Sequence, residues 1–283
     1  MADNTSISWC DKTWNPFWGC SEIAPECGQH APGGGHGLCY AAVFASRGLI
    51  PAHAGTAVAG KWTGKITRSG PAVWAAPFKW PASRVFTCSM SDFWHEDVPL
   101  PWLDEALDVI DRTPKLTYQI LTKRPGNVQR RLDALKRRLP ANIWIGATIG
   151  HERSLPLLKP LRAVDATLRF LSCEPLLTAL PGLSLDGIGW LISGGQSGRD
   201  AAPTHPDWVR ALRDLCVAAG VPFHFKQWGE YRPQPDYFGV DLLRFPHGAP
   251  DYPMRRVGKK TAGAMLDGRE WREFPTINHG DPR

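Results

Sequence analysis

The chain has 283 residues, of which 43% are hydrophobic and 21% charged, a balance typical of a globular protein rather than a disordered one. No apolar run approaches the ~20 residues of a transmembrane helix, and the first residues lack a signal peptide's basic and apolar regions. We therefore expect a cytoplasmic protein without membrane contact. The net charge of +6 favours polyanionic partners, and the odd count of seven cysteines favours metal ligation by reduced thiols over a disulfide framework.

Apolar runs typical of β-strands recur along the chain, and in its second half they alternate with amphipathic, helix-like segments. The predicted strands are 7–9, 64–67, 84–88, 117–121, 143–147, 168–171, 189–192 and 222–225, and the predicted helices include 101–112, 126–138, 153–161 and 206–219. Such alternation predicts right-handed βαβ units and a parallel sheet. We expect an α/β fold of the TIM-barrel type, complete or partly closed, because eight strands suit that barrel.

One domain is expected over residues 1–283, with a cysteine-bearing loop near its N-terminus and an irregular C-terminal extension. Residues 28–37 (GQHAPGGGHG) predict a flexible insert, and the Pro-rich residues 231–260 predict an irregular loop excursion. The final stretch LDGREWREFP predicts an ordered segment that packs back on the domain, with Asp267 and Arg269 as an ion pair.

Three cysteines form the motif that carries most chemical information. Cys20, Cys27 and Cys39 follow the spacing C-x6-C-x11-C, and three thiolates on one loop can hold three corners of a [4Fe–4S] cluster while one iron stays open. Trp14, Phe17, Trp18 and Tyr40 would supply an apolar shell. Zinc is an alternative because His30 and His36 lie between the cysteines, and buried structural thiols are another. Cys10 is a further candidate ligand that we interpret as structural, like Cys88, Cys173 and Cys216.

Polar or glycine residues follow almost every predicted strand, and the carboxyl ends of parallel strands open onto one face. Asp92 and Glu174 are candidates for proton transfer or for contact with a polar ligand, or else for strand-end hydrogen bonds. Lys123 and Arg124 are candidates for binding an anion, or else for a plain surface salt bridge. The remaining candidates are Gly194, Gly195, Gln196 and Ser197 for a cofactor or a tight turn, and Lys226, Gln227 and Trp228 for a nucleobase or plain core packing.

The series WNPFWGC…C…CYA, FTCSMSDFWHEDVP, YQILTKRPGN, IWIGATI, RFLSCEPLL, WLISGGQSGRDAAP, FHFKQWGE and LDGREW resembles a phage-associated three-cysteine-motif family of uncharacterised proteins. That family is itself similar to radical S-adenosylmethionine (SAM) proteins. The chain differs from the family pattern in the longer gap before Cys39 and in Gln196, which stands where the pattern has a glutamate.

The resemblance implies a [4Fe–4S] cluster on the three cysteines, SAM as cofactor and an electron-donor protein. Together with the basic charge and the Lys/Arg strand ends, it predicts radical chemistry that modifies or repairs a nucleic acid or nucleotide. The alternatives are a zinc- or cluster-stabilised nucleic-acid-binding module, and a phage or defence accessory factor that acts with a partner protein without catalysis.

Overall fold

The computed structural model describes residues 5–28, 39–234, 242–245 and 249–276. Its centre is a sheet of seven parallel strands in which each strand pairs with its neighbour in the sequence, forming half of a barrel. The strands are β1 (Lys12–Trp14), β2 (Ser83–Thr87), β3 (Leu116–Thr122), β4 (Ile143–Thr148), β5 (Leu168–Cys173), β6 (Trp190–Gly194) and β7 (Phe223–Gln227).

The α/β class is confirmed, but a complete eight-stranded barrel is wrong. In the described part of the chain β1 and β7 are the two edges of the sheet and do not pair with each other. The edge of β7 is covered instead by the C-terminal segment, where Phe225 N–H donates to Trp271 O at 2.9 Å and Glu273 N–H to Phe223 O at 3.2 Å. This contact confirms that the final stretch packs back on the domain. It also occupies the edge of β7 with which β1 would have to pair in a closed barrel.

Two predicted strands differ from the structure. Residues 7–9 precede β1 and form no strand, because Trp9 turns into the hollow of the sheet, where it is only 2% exposed. Of residues 64–67, only the end enters a strand, Thr67–Arg68, which pairs antiparallel with Phe17–Trp18 outside the main sheet. The remaining six predicted strands are confirmed as β2 to β7.

The helices are α1 (Tyr40–Ala45), α2 (Pro71–Ala75), α3 (Leu100–Asp111), α4 (Pro125–Leu135), α5 (Leu158–Ala163), α6 (Pro206–Ala219) and α7 (Lys259–Ala262). Short 3-10 helices span Pro25–Cys27, Pro51–His53, Ala76–Lys79 and Glu152–Leu157. The predictions of α3, α4 and α6 are confirmed. The helix predicted over 153–161 divides into Glu152–Leu157 and α5, because Pro156 cannot donate a helical hydrogen bond. In the described residues no helix is both long and apolar enough to cross a membrane.

The two faces of the sheet carry different cores. On β3, Tyr118 and Ile120 belong to the large core that also includes buried residues of α3, α4 and α6, whereas Gln119 and Leu121 point to the opposite, concave face. Aromatic side chains fill the concave face at mid-height: Trp9, Phe86, Trp144, Phe170 and Trp190. Open space therefore lies above them, at the carboxyl-terminal ends of the strands.

The segment 231–260 is more regular than expected, so the prediction of an irregular excursion is wrong for its described residues. Tyr231–Pro233, Leu242–Leu243 and Tyr252–Arg256 form a three-stranded antiparallel sheet, and α7 follows it. Two further hairpin pairs are Ala57–Val58 with Lys61–Trp62, and Met265–Leu266 with Arg269–Glu270. The predicted insert 28–37 lies outside the described residues apart from Gly28.

The predicted ion pair between Asp267 and Arg269 is also wrong. Asp267 accepts hydrogen bonds from Arg210 and Arg213 of α6, at 2.8 and 2.5 Å, while Arg269 pairs with Glu273 at 3.4 Å. The pairing joins the C-terminal hairpin to a helix, a long-range contact that sequence proximity does not reveal.

Candidate functional site

A cavity of about 370 Å³ opens at the carboxyl-terminal end of the sheet, a volume that suits a small-molecule ligand. Its apolar floor includes Ile7, Trp9, Phe86 and Leu121. The predicted site residues that line it are Cys20, Cys27, Cys39, Tyr40, Asp92, Lys123, Arg124, Glu174, Gly195, Gln196, Ser197 and Lys226. Polar residues from the cysteine loop and from five strand ends thus meet in one place.

The three cysteines approach the cavity from different local structures. Cys20 lies in an extended loop, Cys27 ends a 3-10 helix, and Cys39 immediately precedes α1. Cys88 is buried in the core, as expected, and it also lines the cavity, whereas Cys10, Cys173 and Cys216 do not. Cys88 directly follows β2 and has a positive φ of 62°, a conformation that turns the chain sharply at the cavity wall.

Close backbone contact and side-chain bonds hold the loop around Cys20. Gly19 has a φ of +97°, and a Cβ there would lie 2.0 Å from the carbonyl oxygen of Lys65, so only glycine fits. On the other side of the cysteine, the Ser21 hydroxyl contacts Nε2 of His95 at 2.8 Å. Both contacts fix the backbone on either side of the sulfur.

Glu26 holds the loop around Cys27. Its buried carboxylate accepts hydrogen bonds from the backbone N–H groups of Gly150 and His151, at 2.7 and 3.0 Å, and from the Ser154 hydroxyl at 2.9 Å. These partners follow β4, so a charge-assisted cluster of bonds attaches the cysteine loop to the sheet. Sequence reasoning missed Glu26 because its partners lie more than 120 residues away.

Arg124 holds the loop from the opposite side, and its guanidinium is fully engaged. Nη1 lies 3.7 Å from Sγ of Cys20 and 3.3 Å from Oδ2 of Asp92. Nη2 donates to the carbonyl and hydroxyl oxygens of Ser21 at 3.0 and 2.7 Å, and Nε donates to Glu96 at 2.8 Å. We considered an anion site or a surface salt bridge here. Arg124 instead forms a buried salt bridge with Asp92, and it positions Cys20.

Asp92 is similarly saturated with hydrogen bonds. Besides Arg124, its carboxylate accepts from the Thr122 hydroxyl at 2.7 Å and from the backbone N–H groups of Lys123 and Trp94, both at 3.0 Å. These are the strand-end hydrogen bonds that we considered as the alternative to proton transfer. The Asp92 carboxylate therefore fixes the position of the segment that carries Lys123 and Arg124.

Burial and neighbouring charges shift the pKa values of Cys20 and Lys123. Burial raises the pKa of the Cys20 thiol to about 12, and Asp92 adds to this, whereas Arg124 and Lys123 oppose it. Burial disfavours the Lys123 ammonium, but Cys27, Cys39 and Glu26 outweigh it, so the pKa of Lys123 is raised. Its Nζ makes no ion pair with a carboxylate of the described residues. Lys123 therefore brings a positive charge to the cavity that the three cysteines also line.

On the far wall of the cavity, Glu174 pairs with Lys226. Nζ of Lys226 donates to Oε1 of Glu174 at 2.7 Å, with 25% and 17% of the two side chains exposed. The pair thus presents both a cation and an acceptor to the cavity. A Cβ on Gly194 would lie 3.2 Å from the Glu174 carboxyl, which leaves Gly194 beneath the pair rather than on the cavity surface.

The glycine-rich segment after β6 is shaped mainly by its contact with the chain after β7. A Cβ on Gly195 would lie 1.9 Å from the carbonyl oxygen of Trp228. Gln227 donates from Nε2 to Gly195 O at 2.9 Å, and Gln196 accepts from Ala202 N–H at 2.8 Å. The segment thus packs closely against the chain after β7, while Gly195, Gln196 and Ser197 also border the cavity.

Gln227 and Trp228 do not line the cavity. Trp228 is 4% exposed, its indole N–H donates to Met265 O at 2.8 Å, and its ring lies 4.8 Å from that of Phe225. Trp228 is therefore a core residue beside an accessible lysine, which is the alternative that we set against base stacking.

Arg131 of α4 and Arg137, two residues after the end of α4, are used within the fold. Arg137 pairs with Asp104, Asp108 and Asp111 of α3 at 2.6 to 2.8 Å. Arg131 is buried and donates to the carbonyl oxygens of Glu96 and Val98. Arg131 thus joins α4 to the loop before α3, and Arg137 joins the segment after α4 to α3.

A family model described as "protein of unknown function (DUF5131)" matches residues 4–275. The chain belongs to this family. Comparisons with curated proteins and with solved structures give no match. Membership of an uncharacterised family is thus confirmed, while similarity to radical SAM proteins and an association with phages stay predictions.

In this DUF5131 chain the donor set constrains the kind of metal centre. No three histidine, cysteine, aspartate or glutamate side chains of the described residues are grouped so as to hold a single metal ion. His30 and His36, the zinc ligands considered above, lie outside the described residues. Three cysteines nevertheless line one cavity, and the thiolates of a cluster bind different iron atoms, so they stand farther apart than ligands of one ion. In ligand type, the three cysteines that line the cavity match those that hold an iron–sulfur cluster.

Proposed function

We propose that this protein holds a [4Fe–4S] cluster on Cys20, Cys27 and Cys39 and uses SAM in radical chemistry on a nucleic acid or nucleotide. The observation that carries the proposal is that three separately anchored cysteines line one cavity together with Lys123, whose ammonium pairs with no carboxylate of the described residues. Thiolates are the ligands that iron–sulfur clusters require.

The charge around the cysteines suits this assignment. Three thiolates bring three negative charges into a partly buried site, and such charges are costly unless cations accompany them. Lys123 and Arg124 lie beside the sulfurs and oppose the effect of burial on the pKa of Cys20. Both cations follow β3, so the strand end supplies the compensating charge.

When bound, the cluster would supply the electron that cleaves SAM to a 5′-deoxyadenosyl radical, which takes a hydrogen atom from the substrate. The chain's own residues bind and orient. Lys226 and Glu174 offer a cation and an acceptor to polar groups of a ligand, and Trp9 and Phe86 keep water from the floor of the cavity. We assign ligand contact to Glu174 rather than Asp92, because every contact of Asp92 serves the fold.

Tyr40 is proposed to contact the cofactor from the cavity mouth. Its hydroxyl donates to Ser89 O at 2.6 Å, which fixes a ring that is 63% exposed. Such a ring offers an apolar face to an adenine or ribose group. An electron-donor protein would approach from the same open side.

Anaerobic reconstitution with iron and sulfide tests the proposal. We expect about four iron and four sulfide ions per chain and formation of 5′-deoxyadenosine from SAM under a chemical reductant. Bound iron without SAM cleavage would favour the binding module or the accessory factor. Zinc in place of iron, with no sulfide, would overturn the cluster.

A further inference from the structure

Two buried hydroxyl groups line the cavity without a hydrogen-bond partner. Thr148 ends β4, Ser172 lies near the end of β5, and the two residues are directly paired in the parallel sheet. They are only 1% and 2% exposed. In the described part of the chain no group donates to or accepts from either hydroxyl. Since a buried hydroxyl is costly unless it is hydrogen-bonded, the pair points to a bound ligand.

Both hydroxyls project from the concave face of the sheet. Residues at alternate positions of a strand share a face, so Thr148 lies above Trp144 and Ser172 lies above Phe170. Those two rings are buried in the aromatic layer that fills the hollow at mid-height. A ligand therefore reaches the hydroxyls from the open end of the cavity.

Glu174 and Lys226 extend this row of polar groups. Glu174 follows Ser172 by two positions, and its Oε1 accepts from Nζ of Lys226 at 2.7 Å. Its other carboxylate oxygen, Oε2, accepts no hydrogen bond from the described residues. Gly194 of the intervening strand β6 leaves room for the pair, because a Cβ there would lie 3.2 Å from the Glu174 carboxyl carbon. We call Thr148, Ser172, Glu174 and Lys226 the polar wall.

The polar wall suits neutral groups that both donate and accept hydrogen bonds. The charges of Glu174 and Lys226 cancel within their ion pair, and the two hydroxyls are uncharged. Neighbouring hydroxyls of a sugar ring can donate to Oε2 of Glu174 and form hydrogen bonds with Ser172 and Thr148. Carboxylates bind ribose hydroxyls in this way in dinucleotide-binding proteins. The polar wall therefore has the chemistry of a sugar site.

The floor of the cavity suits a base. It includes the apolar side chains of Trp9, Phe86 and Leu121, against which a flat ring can pack. A ligand with a sugar on the polar wall and a flat ring on the floor is a nucleoside or a nucleotide. The volume of about 370 Å³ admits one small ligand, which favours a free nucleotide over a polymer.

The polar wall begins beside the cysteine loop. Thr148 precedes Gly150 by two residues, and Gly150 N–H donates at 2.7 Å to the carboxylate of Glu26, the neighbour of Cys27. A sugar on the polar wall is thus held close to the proposed cluster, as radical chemistry on that nucleotide requires.

We propose that the polar wall binds the 2′- and 3′-hydroxyls of the substrate's ribose, so that the protein acts on a free ribonucleotide rather than on a deoxyribonucleotide. This inference rests on the nucleotide substrate of the proposed function. It adds Thr148 and Ser172 to the residues that contact the substrate, and it excludes deoxyribose as the sugar.

Equilibrium dialysis of the full chain with each common ribonucleoside 5′-monophosphate and its 2′-deoxy counterpart tests the inference. The wild type should bind at least one ribonucleotide about 10-fold more tightly than the matching deoxyribonucleotide. Thr148→Val/Ser172→Ala removes both hydroxyls with little change of shape, so it should abolish this preference and leave the affinity for the deoxyribonucleotide unchanged. The matched control Thr167→Val removes an exposed hydroxyl at the opposite end of β5 and should keep the full preference.

Equal affinities of the wild type for ribonucleotides and deoxyribonucleotides would overturn the inference, as would the absence of nucleotide binding. S-adenosylhomocysteine is the second probe. If it competes with the nucleotide and depends equally on the two hydroxyls, the polar wall belongs to the cofactor and the inference is overturned.

Iron content, measured on the same samples, separates the two proposals. A ribonucleotide preference that depends on the hydroxyls in a protein without iron would support the inference and contradict the cluster. SAM cleavage without any preference for ribonucleotides would overturn the inference and leave the proposed radical chemistry intact.

Discussion

The guanidinium of Arg124 lies 3.7 Å from the sulfur of Cys20 and forms a buried ion pair with Asp92, at 3.3 Å. One side chain therefore joins a strand-end carboxylate to the first cysteine of the motif. Removal of Arg124 would leave the carboxylate of Asp92 buried without its partner, a change that is costly in a protein interior.

Arg124→Gln is expected to lower the free energy of unfolding by about 3 kcal/mol, because the Asp92 and Arg124 side chains are only 6% and 5% exposed. Urea denaturation measures the loss. Arg84→Gln is the control: Arg84 also binds a carboxylate, Asp11, but the pair is 26% and 41% exposed, so its loss should cost less than about 1 kcal/mol. Equal losses in the two variants would contradict the role given to Arg124.

Cys20→Ala, Cys27→Ala and Cys39→Ala should each abolish iron binding after anaerobic reconstitution, because each removes one proposed ligand. Cys216→Ala should keep its iron, since that thiol lies in the core away from the cavity. Cys88→Ala is the sharper control, as Cys88 lines the same cavity. Iron and sulfide analysis decides each case. Retained iron in any of the first three variants contradicts the ligand set, and loss in Cys88→Ala would mean a fourth thiolate and no open iron.

Gly195→Ala should destabilise the protein by about 2 kcal/mol or more, because the new Cβ would lie 1.9 Å from Trp228 O and the two strand ends must separate. The control is Gly126→Ala in α4, whose Cβ would meet nothing closer than 3.9 Å and should stabilise the helix by up to about 1 kcal/mol. Thermal unfolding measures both. A neutral Gly195→Ala would show that the close approach of the two strand ends is dispensable.

His224 should make the protein acid-sensitive. Burial, aided by Arg272, lowers the pKa of its imidazole from 6.5 to about 3. Between those values the unfolded chain binds a proton that the folded chain does not. The contribution of neutral His224 to the free energy of unfolding is therefore full above about pH 6.5. It falls by about 1.4 kcal/mol per pH unit between that pH and about pH 3. Urea titrations of the wild type and of His224→Gln should differ in slope by this one proton, and identical slopes would contradict the assignment.

Local pattern predicted much of the fold. The six strands β2 to β7 are apolar runs with polar ends, and α3, α4 and α6 are periodic and bounded by breakers, so neighbouring residues determine them. The parallel order of the strands was enough to predict that the polar residues at their carboxyl-terminal ends would lie together, as they do around the cavity. The edge strand β1 was harder to predict. Ile7 and Trp9 have the pattern of a strand, but their large side chains fill the concave side of the sheet, and β1 begins only at Lys12.

Most of the contacts that build the site could not be predicted from the sequence, because the residues that make them are far apart along the chain. Nothing near Glu26 indicates its bonds to Gly150 and Ser154, and nothing near Arg137 indicates the three aspartates of α3. Cys88 is a core residue as predicted, but its position after an apolar strand did not indicate that it would also line the cavity. Burial of Trp228 depends on Met265, a residue that follows it by 37 positions.

The attachment of Glu26 to the residues after β4 has a consequence for how this motif can change in length. Cys27 is held from its N-terminal side, and Cys39 is held from its C-terminal side by α1, whose Tyr40 hydroxyl bonds to Ser89 O. Neither support depends on the chain between the two cysteines. Deletions or additions within residues 29–38 would therefore leave both thiols in register with the cavity, and the spacer is the natural place to introduce a spectroscopic label or an affinity tag.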